Sequence, residues 1–173
     1  MFEWPIPHTL ADGTEVLVRP IEPGDKARLE VGLRNLSDAT IRRRFLAAKP
    51  RFTAAELRYL TEVDGHDHIA LVATPADDPD ALVAVARCVR LPDRPDTAEM
   101  AVVIGDPLQG LGLGRRMSQL LADAALAAGI ERFAATMQGE NVPAQRIMRT
   151  ITERLEGAWV GGGVRELVGN IAA

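Results

Sequence analysis

The spacing of apolar residues changes period several times along the chain, and each change marks an element. After the turn-forming pair Asp12-Gly13, residues 15–19 alternate as a strand, and Pro23-Gly24-Asp25 opens a helix running toward Leu36. Ser37 caps a second helical segment that reaches Phe45, and the break Lys49-Pro50-Arg51 separates it from Thr53-Ala54-Ala55-Glu56. That pattern is a capping box, which starts a helix ending near Val63. Residues 69–74, 81–91 and 97–104 read as three strands joined by the proline-containing stretches 75–80 and 92–96, an antiparallel meander. Downstream, Leu113, Met117, Leu120, Leu121, Ala124 and Ala128 recur at helical spacing, with Arg115, Arg116, Gln119, Ala122 and Asp123 mainly on the other side. Residues 132–137 form a short strand, and Asn141 caps a helix with Pro143 in its first turn and Ala144, Ile147, Met148 and Ile151 on its buried face. Residues 153–160 and 164–171 around Gly161-Gly162-Gly163 close the chain as a hairpin. The pattern predicts one α/β domain spanning residues 1–173, without repeats or an interdomain linker.

Composition narrows the function classes. A chain of 173 residues with 47% hydrophobic content can bury a sizeable core. Twenty basic against 24 acidic residues leave a net charge of −4, and no basic stripe with interleaved aromatics points to nucleic acid. Cys88 is the single cysteine and sits in an apolar run, so it reads as a small buried residue rather than part of a disulfide or a metal cage. No apolar run approaches the roughly 20 residues that span a membrane, and residues 1–8 do not look like a signal peptide, so a cytoplasmic location is expected.

The chemistry concentrates at Gln109-Gly110-Leu111-Gly112-Leu113-Gly114, between the apolar strand end and the long helix. Glycines there let backbone N–H groups approach a ligand, and the first helical turn leaves free donors at the positive end of the helix dipole. Arg115 and Arg116 occupy a first turn where the dipole alone favours acidic residues, as suits a bound anion; the plainer reading is a tight turn followed by solvated arginines. The stretch fits neither a Walker loop nor the Gly-x-Gly-x-x-Gly dinucleotide fingerprint.

It does fit Gln/Arg-x-x-Gly-x-Gly/Ala, and here the chain resembles the GCN5-related N-acetyltransferases. The order of elements agrees with that family over nearly the whole chain. Residues 37–45, Phe52-Thr53-x-x-Glu56-Leu57, Glu62-Val63-Asp64-Gly65 and Ala98-Glu99-Met100-Ala101 are similar in particular to the acetyltransferase domain of bacterial protein lysine acetyltransferases. The resemblance implies a mixed central sheet flanked by helices, with an antiparallel meander followed by two parallel strands splayed at the coenzyme A site. It implies acetyl-CoA as co-substrate, with Gln109, Gly110, Leu111, Gly112, Leu113, Gly114 and Arg115 at its pyrophosphate. Val102, Val103 and Ile104 are implied along the pantetheine arm, with Asn141 facing them. Those enzymes often carry a fused regulatory domain, for which a chain of this length is expected to have no room.

Glu99 is the candidate general base. Flanked by apolar residues, a carboxylate beside an apolar groove would have its charged form disfavoured. A lysine of pKa about 10.4 must lose a proton before it attacks a thioester. Direct attack in a ternary complex then forms an oxyanion that an N–H near Val102 or Val103 can stabilise. The plainer reading of Glu99 is a solvent-facing strand residue. Asn141 is likewise explained by helix capping alone. Many family members place a tyrosine seven residues after this Asn as the general acid; Met148 stands there, and the single tyrosine is Tyr59. No general acid is therefore assigned.

His66 and His68 with Asp64 and Asp67 read as a polar loop rather than a metal site. Glu62 and Asp64 are expected to line a cation-attracting acceptor entrance. The acceptor is expected to be an amine, in particular a protein lysine. The alternatives are a small-molecule amine and an acyl-CoA-binding sensor without turnover. A homodimer paired through the C-terminal strands is a further expectation.

Overall fold

The structure, a computed structural model, describes residues 3–172. An eight-stranded mixed sheet runs through it in the order β1-β2-β3-β4-β5-β6-β8-β7. Its strands are β1 (Ile6–Thr9), β2 (Glu15–Pro20), β3 (His68–Pro75), β4 (Ala84–Leu91), β5 (Arg94–Ile104), β6 (Arg132–Gln138), β7 (Thr152–Gly161) and β8 (Val164–Ile171). Every neighbouring pair is antiparallel except β5 with β6. The helices are α1 (Lys26–Arg34), α2 (Asp38–Phe45), α3 (Ala54–Thr61), α4 (Leu113–Ala127) and α5 (Val142–Ile151).

Alternation along the strands builds a different core on each face. Val16, Val18, Leu71, Ala86, Cys88, Ala98, Met100 and Phe133 meet Leu113, Met117, Leu120 and Leu121 of α4 and Met148 and Ile151 of α5. Ile21, Leu29, Ala70 and Val72 form the smaller core on the other side, with Phe52, Leu57 and Leu60 packed against it. Strand β3 is covered on both faces, which is why it reads as one unbroken apolar run. Ala122, placed on the polar side of the long helix by its spacing, is buried.

Three local readings need correction. Strand β1 is absent from the sequence-based expectation, because four residues containing Pro7 carry little pattern; its pairing with β2 makes it an edge strand, where proline is tolerated. The segment 23–36 is a short 3₁₀ turn (Pro23–Asp25) followed by α1, not one helix. Strand β5 starts at Arg94 after a tight turn at Pro92 and Asp93, because the Arg90 side chain holds the turn through Pro95 O, Asp67 Oδ1 at 2.7 Å and Ala128 O at 2.7 Å. The capping box survives intact: Thr53 Oγ1 accepts from Glu56 N at 3.2 Å and Glu56 Oε2 from Thr53 N at 2.8 Å. Among the described residues no helix is long and apolar enough to cross a membrane.

Candidate active site

The site is opened by a failure of strand pairing. The β5–β6 ladder contains Thr97↔Arg132, Ala98↔Phe133 and Glu99↔Ala134 and goes no further, although both strands continue. Past Glu99 the two strands splay, and the β5 edge from Met100 to Ile104 has no partner strand on that side. A cleft of about 410 Å³ fills the gap, lined by Met100, Val102, Val103 and Ile104 of β5, Thr136 of β6 and Asn141 and Met148 at α5.

The glycine loop closes one end of the cleft. Gly110 has φ +76° and Gly112, at the N-cap of α4, has φ +94°, a region that side-chain-bearing residues rarely enter. Gly114 answers a different need. A Cβ there would stand 3.3 Å from Ile147 Cδ1 and 3.5 Å from Ile104 Cγ1, so glycine lets α4 seat against α5 and β5. Gly110, Gly112, Gly114 and Arg115 line the cleft, but Leu111 and Leu113 do not. Leu113 is fully buried and Leu111 packs on the same core, so their side chains anchor the loop from behind.

Two expected cofactor contacts are already engaged inside the protein. Gln109 lies at the cleft, but its Nε2 donates to Ile104 O at 3.0 Å and to Thr40 Oγ1 at 3.1 Å. The Ile104 carbonyl therefore has one acceptor position filled. Asn141 is buried and lines the cleft, and its Oδ1 caps α5 by accepting from Ala144 N at 3.2 Å. Its side-chain NH₂ makes no hydrogen bond among the described residues, so capping and a role in the cleft are compatible.

Glu99 occupies the last rung of the ladder. Ala98 and Met100 point into the α4-side core, so Glu99 lies on the opposite face, where α2 crosses β5 and β6. The side chain is exposed, so the apolar burial expected around it is not found. Its charged neighbour is Arg44 of α2; burial holds that guanidinium below its ordinary pKa while the Glu99 carboxylate pulls the other way. Arg43, Arg44 and Arg146 line the cleft, whereas Glu99 is not among its lining residues and stands at its edge, one residue before Met100. Sequence reading passed over these arginines, and the only signal was the run Arg42-Arg43-Arg44 on a short helix.

The remaining candidates are occupied elsewhere. Glu62 Oε1 pairs with Lys26 Nζ at 2.6 Å, and Asp64 Oδ1 accepts the N–H groups of His66, Asp67 and His68, each at 2.9 Å. Neither lines the cleft. His68 turns inward, its Nε2 3.0 Å from Arg87 Nη1, and burial followed by that guanidinium lowers it to about 4. His66 instead meets Asp67 at 2.8 Å, so the two imidazoles do not converge. Burial pushes the Cys88 thiol up to about 12, which leaves it inert. Met148 is buried at the cleft wall, and Tyr59 is not among the cleft residues.

A mixed sheet whose single parallel pair splays apart, with a glycine loop and the N-terminus of α4 at one end of the gap, defines the α/β class of this fold. The chain belongs to the acetyltransferase (GNAT) family, whose model matches residues 38–150. It is 37% identical over 160 residues to acetyltransferase Pat of Mycolicibacterium smegmatis, a match covering 92% of this chain and 46% of that protein. An acetyltransferase of Pseudomonas aeruginosa is 31% identical over 144 residues, 83% of this chain and 75% of that protein. The chain thus spans about half the length of the first of these relatives and three quarters of the second. The GNAT domain of S. lividans PAT superposes with a TM-score of 0.86 at 27% identity, covering 99% of this chain and all of that domain.

Proposed function

We propose that this protein transfers an acetyl group from acetyl-CoA to an amine, the side chain of a protein lysine, by direct attack in a ternary complex. The observation that carries the reading is the coincidence of three features at one cleft: the strand edge freed past Glu99, the positive-φ loop at Gly110 and Gly112, and the N-terminus of α4. The loop N–H groups and Arg115 suit the pyrophosphate, and the unpaired β5 edge suits the amide-bearing pantetheine arm, which can add to it like a strand. Val102 and Val103 supply that edge, and Asn141 faces it from α5.

In this mechanism Glu99 takes the proton from the ammonium, directly or through water, since its exposure leaves it open to both. The amine nitrogen attacks the thioester carbonyl, the carbonyl oxygen takes the negative charge, and a β5 N–H near Val102 or Val103 stabilises it. The second proton on the attacking nitrogen passes to water, and collapse of the intermediate expels the CoA thiolate. No side chain of the cleft is assigned to protonate it, because a methionine sulfur at Met148 has no proton to donate. The protein-lysine acceptor is supported by the resemblance of residues 37–45, 52–57, 62–65 and 98–101 to bacterial protein lysine acetyltransferases.

Acetyl-CoA incubated with a cell lysate and this protein, followed by mass spectrometry, is expected to show new acetyl-lysines that Glu99→Gln does not produce. Product confined to free polyamines, amino acids or aminoglycosides would replace the acceptor with a small molecule. A second reading, binding of acyl-CoA without turnover, is favoured by Met148 at the general-acid position. Calorimetric CoA binding without thiol release on any amine would establish it.

A further inference from the structure

Helix α2 is anchored in an unusual way. It crosses β5 and β6 over the splayed gap and carries Arg43 and Arg44 to the cleft, yet none of its residues belongs to either hydrophobic cluster. Thr40 is its one buried side chain. An edge-on contact of Phe45 with Phe52 at 6.0 Å between ring centres holds its C-terminal end, and polar groups hold its N-terminus. Asp106, just before the glycine loop, gathers them. Its Oδ2 accepts from Ser37 N at 2.9 Å, and its Oδ1 accepts from Ser37 Oγ at 2.6 Å and Thr40 Oγ1 at 2.8 Å. Partial burial works against the charged form, but these bonds outweigh it and keep the Asp106 carboxyl below the usual carboxylate range. Gln109 completes the chain from the loop side, joining Thr40 Oγ1 to Ile104 O.

We propose that Asp106 is a positioning residue: through Ser37 and Thr40, with Gln109 as the second strut, it ties α2 to the glycine loop, so that cofactor on the loop sets where Arg44 stands beside Glu99. The proposal rests on reading the cleft as the acetyl-CoA site. An ordinary helix cap and this latch share the same hydrogen bonds but differ in consequence. A cap adds stability whether or not the loop is occupied, whereas the latch passes loop occupancy on to α2 through a contiguous set of bonds.

Amide hydrogen exchange with and without CoA separates the two. In the wild-type protein CoA is expected to slow exchange in residues 105–117 and also in residues 38–45. In Asp106→Ala, residues 38–45 should exchange at least about tenfold faster without CoA, and CoA should slow the loop without slowing α2. Thr40→Val, which keeps the shape and removes the hydroxyl, should behave in the same way, and it decides the matter if Asp106→Ala loosens the whole molecule. Wild-type exchange of α2 in Thr40→Val, or CoA protection of α2 undiminished in it, overturns the proposal. CoA protecting neither segment of the wild-type protein would instead defeat the cofactor reading, and the rates without CoA would still report whether Asp106 holds α2.

Discussion

At the scale of single residues, backbone conformation and burial decide what each position tolerates. Gly112 sits at φ +94°, so alanine there strains the backbone by about 1–2 kcal/mol and bends the loop. Gly112→Ala is expected to weaken CoA binding about tenfold or more by calorimetry while leaving the thermal midpoint within a few degrees. His68 makes a prediction about pH. Its folded value of about 4 lies below the unfolded 6.5, so between the two the unfolded chain binds the extra proton and stability falls as pH falls. The full contribution holds above the unfolded value, and about 2 kcal/mol is lost by about pH 5. Urea midpoints at neutral and mildly acidic pH should show this loss in the wild-type protein. They should show much less of it in His68→Gln, whose carbonyl can still accept from Arg87.

At the scale of elements, the first helical layer depends on one carboxylate. Asp25 is fully buried and takes a bidentate pair from Arg19 at 2.8 Å through each nitrogen, a third bond from Arg28 Nη1 at 3.0 Å and the Glu22 N–H at 2.9 Å. Burial pushes its pKa up, but these partners outweigh it and leave the carboxyl below the ordinary range. Asp25→Ala should cost about 3 kcal/mol by urea unfolding, the low end for a broken buried pair because both arginines keep contact with water. The β7–β8 hairpin shows a second dependence. A Cβ on Gly139 would lie 2.4 Å from Trp159 Cη2, so the indole rests directly on the β6–α5 connection. Gly139→Ala is therefore expected to displace the hairpin, read as a shift in Trp159 fluorescence with a loss of under about 1 kcal/mol, since Trp159 is already 68% exposed.

At the scale of the whole molecule, the sheet ends at β7, whose residues past Thr152 are largely exposed and include Trp159 and Val160. The homodimer we propose pairs this edge with its copy; sedimentation should give twice the monomer mass, and Val160→Pro should abolish it. Much of this architecture was legible in the chain. The unbroken apolar run of β3, the strand patterns of β4 to β6, the helical spacing of α4 and the Asn141-x-Pro143 start of α5 are local signals written in consecutive residues. The loop from Gly110 to Gly114 was legible because the positive φ of Gly110 and Gly112 favours glycine and the close packing at Gly114 leaves little room for a side chain. Strand β1 was not, because four residues containing Pro7 carry little pattern; the tight turn at Pro92 was not, because Arg90 holds it through Asp67 and Ala128; and the division of the first helix was not, because it follows from the Asp25 side chain turning back to Arg19 and the Glu22 N–H. By itself the sequence determined the elements, the glycine loop and the family likeness, since these depend on spacing between near neighbours. Only the tertiary structure decided that the β5–β6 ladder stops at Glu99, that Glu99 stands in solvent beside Arg44, and that Gln109 and Asp106 turn toward α2. Those outcomes follow from how distant segments compete for the same hydrogen bonds and buried surface, a contest that no local pattern records.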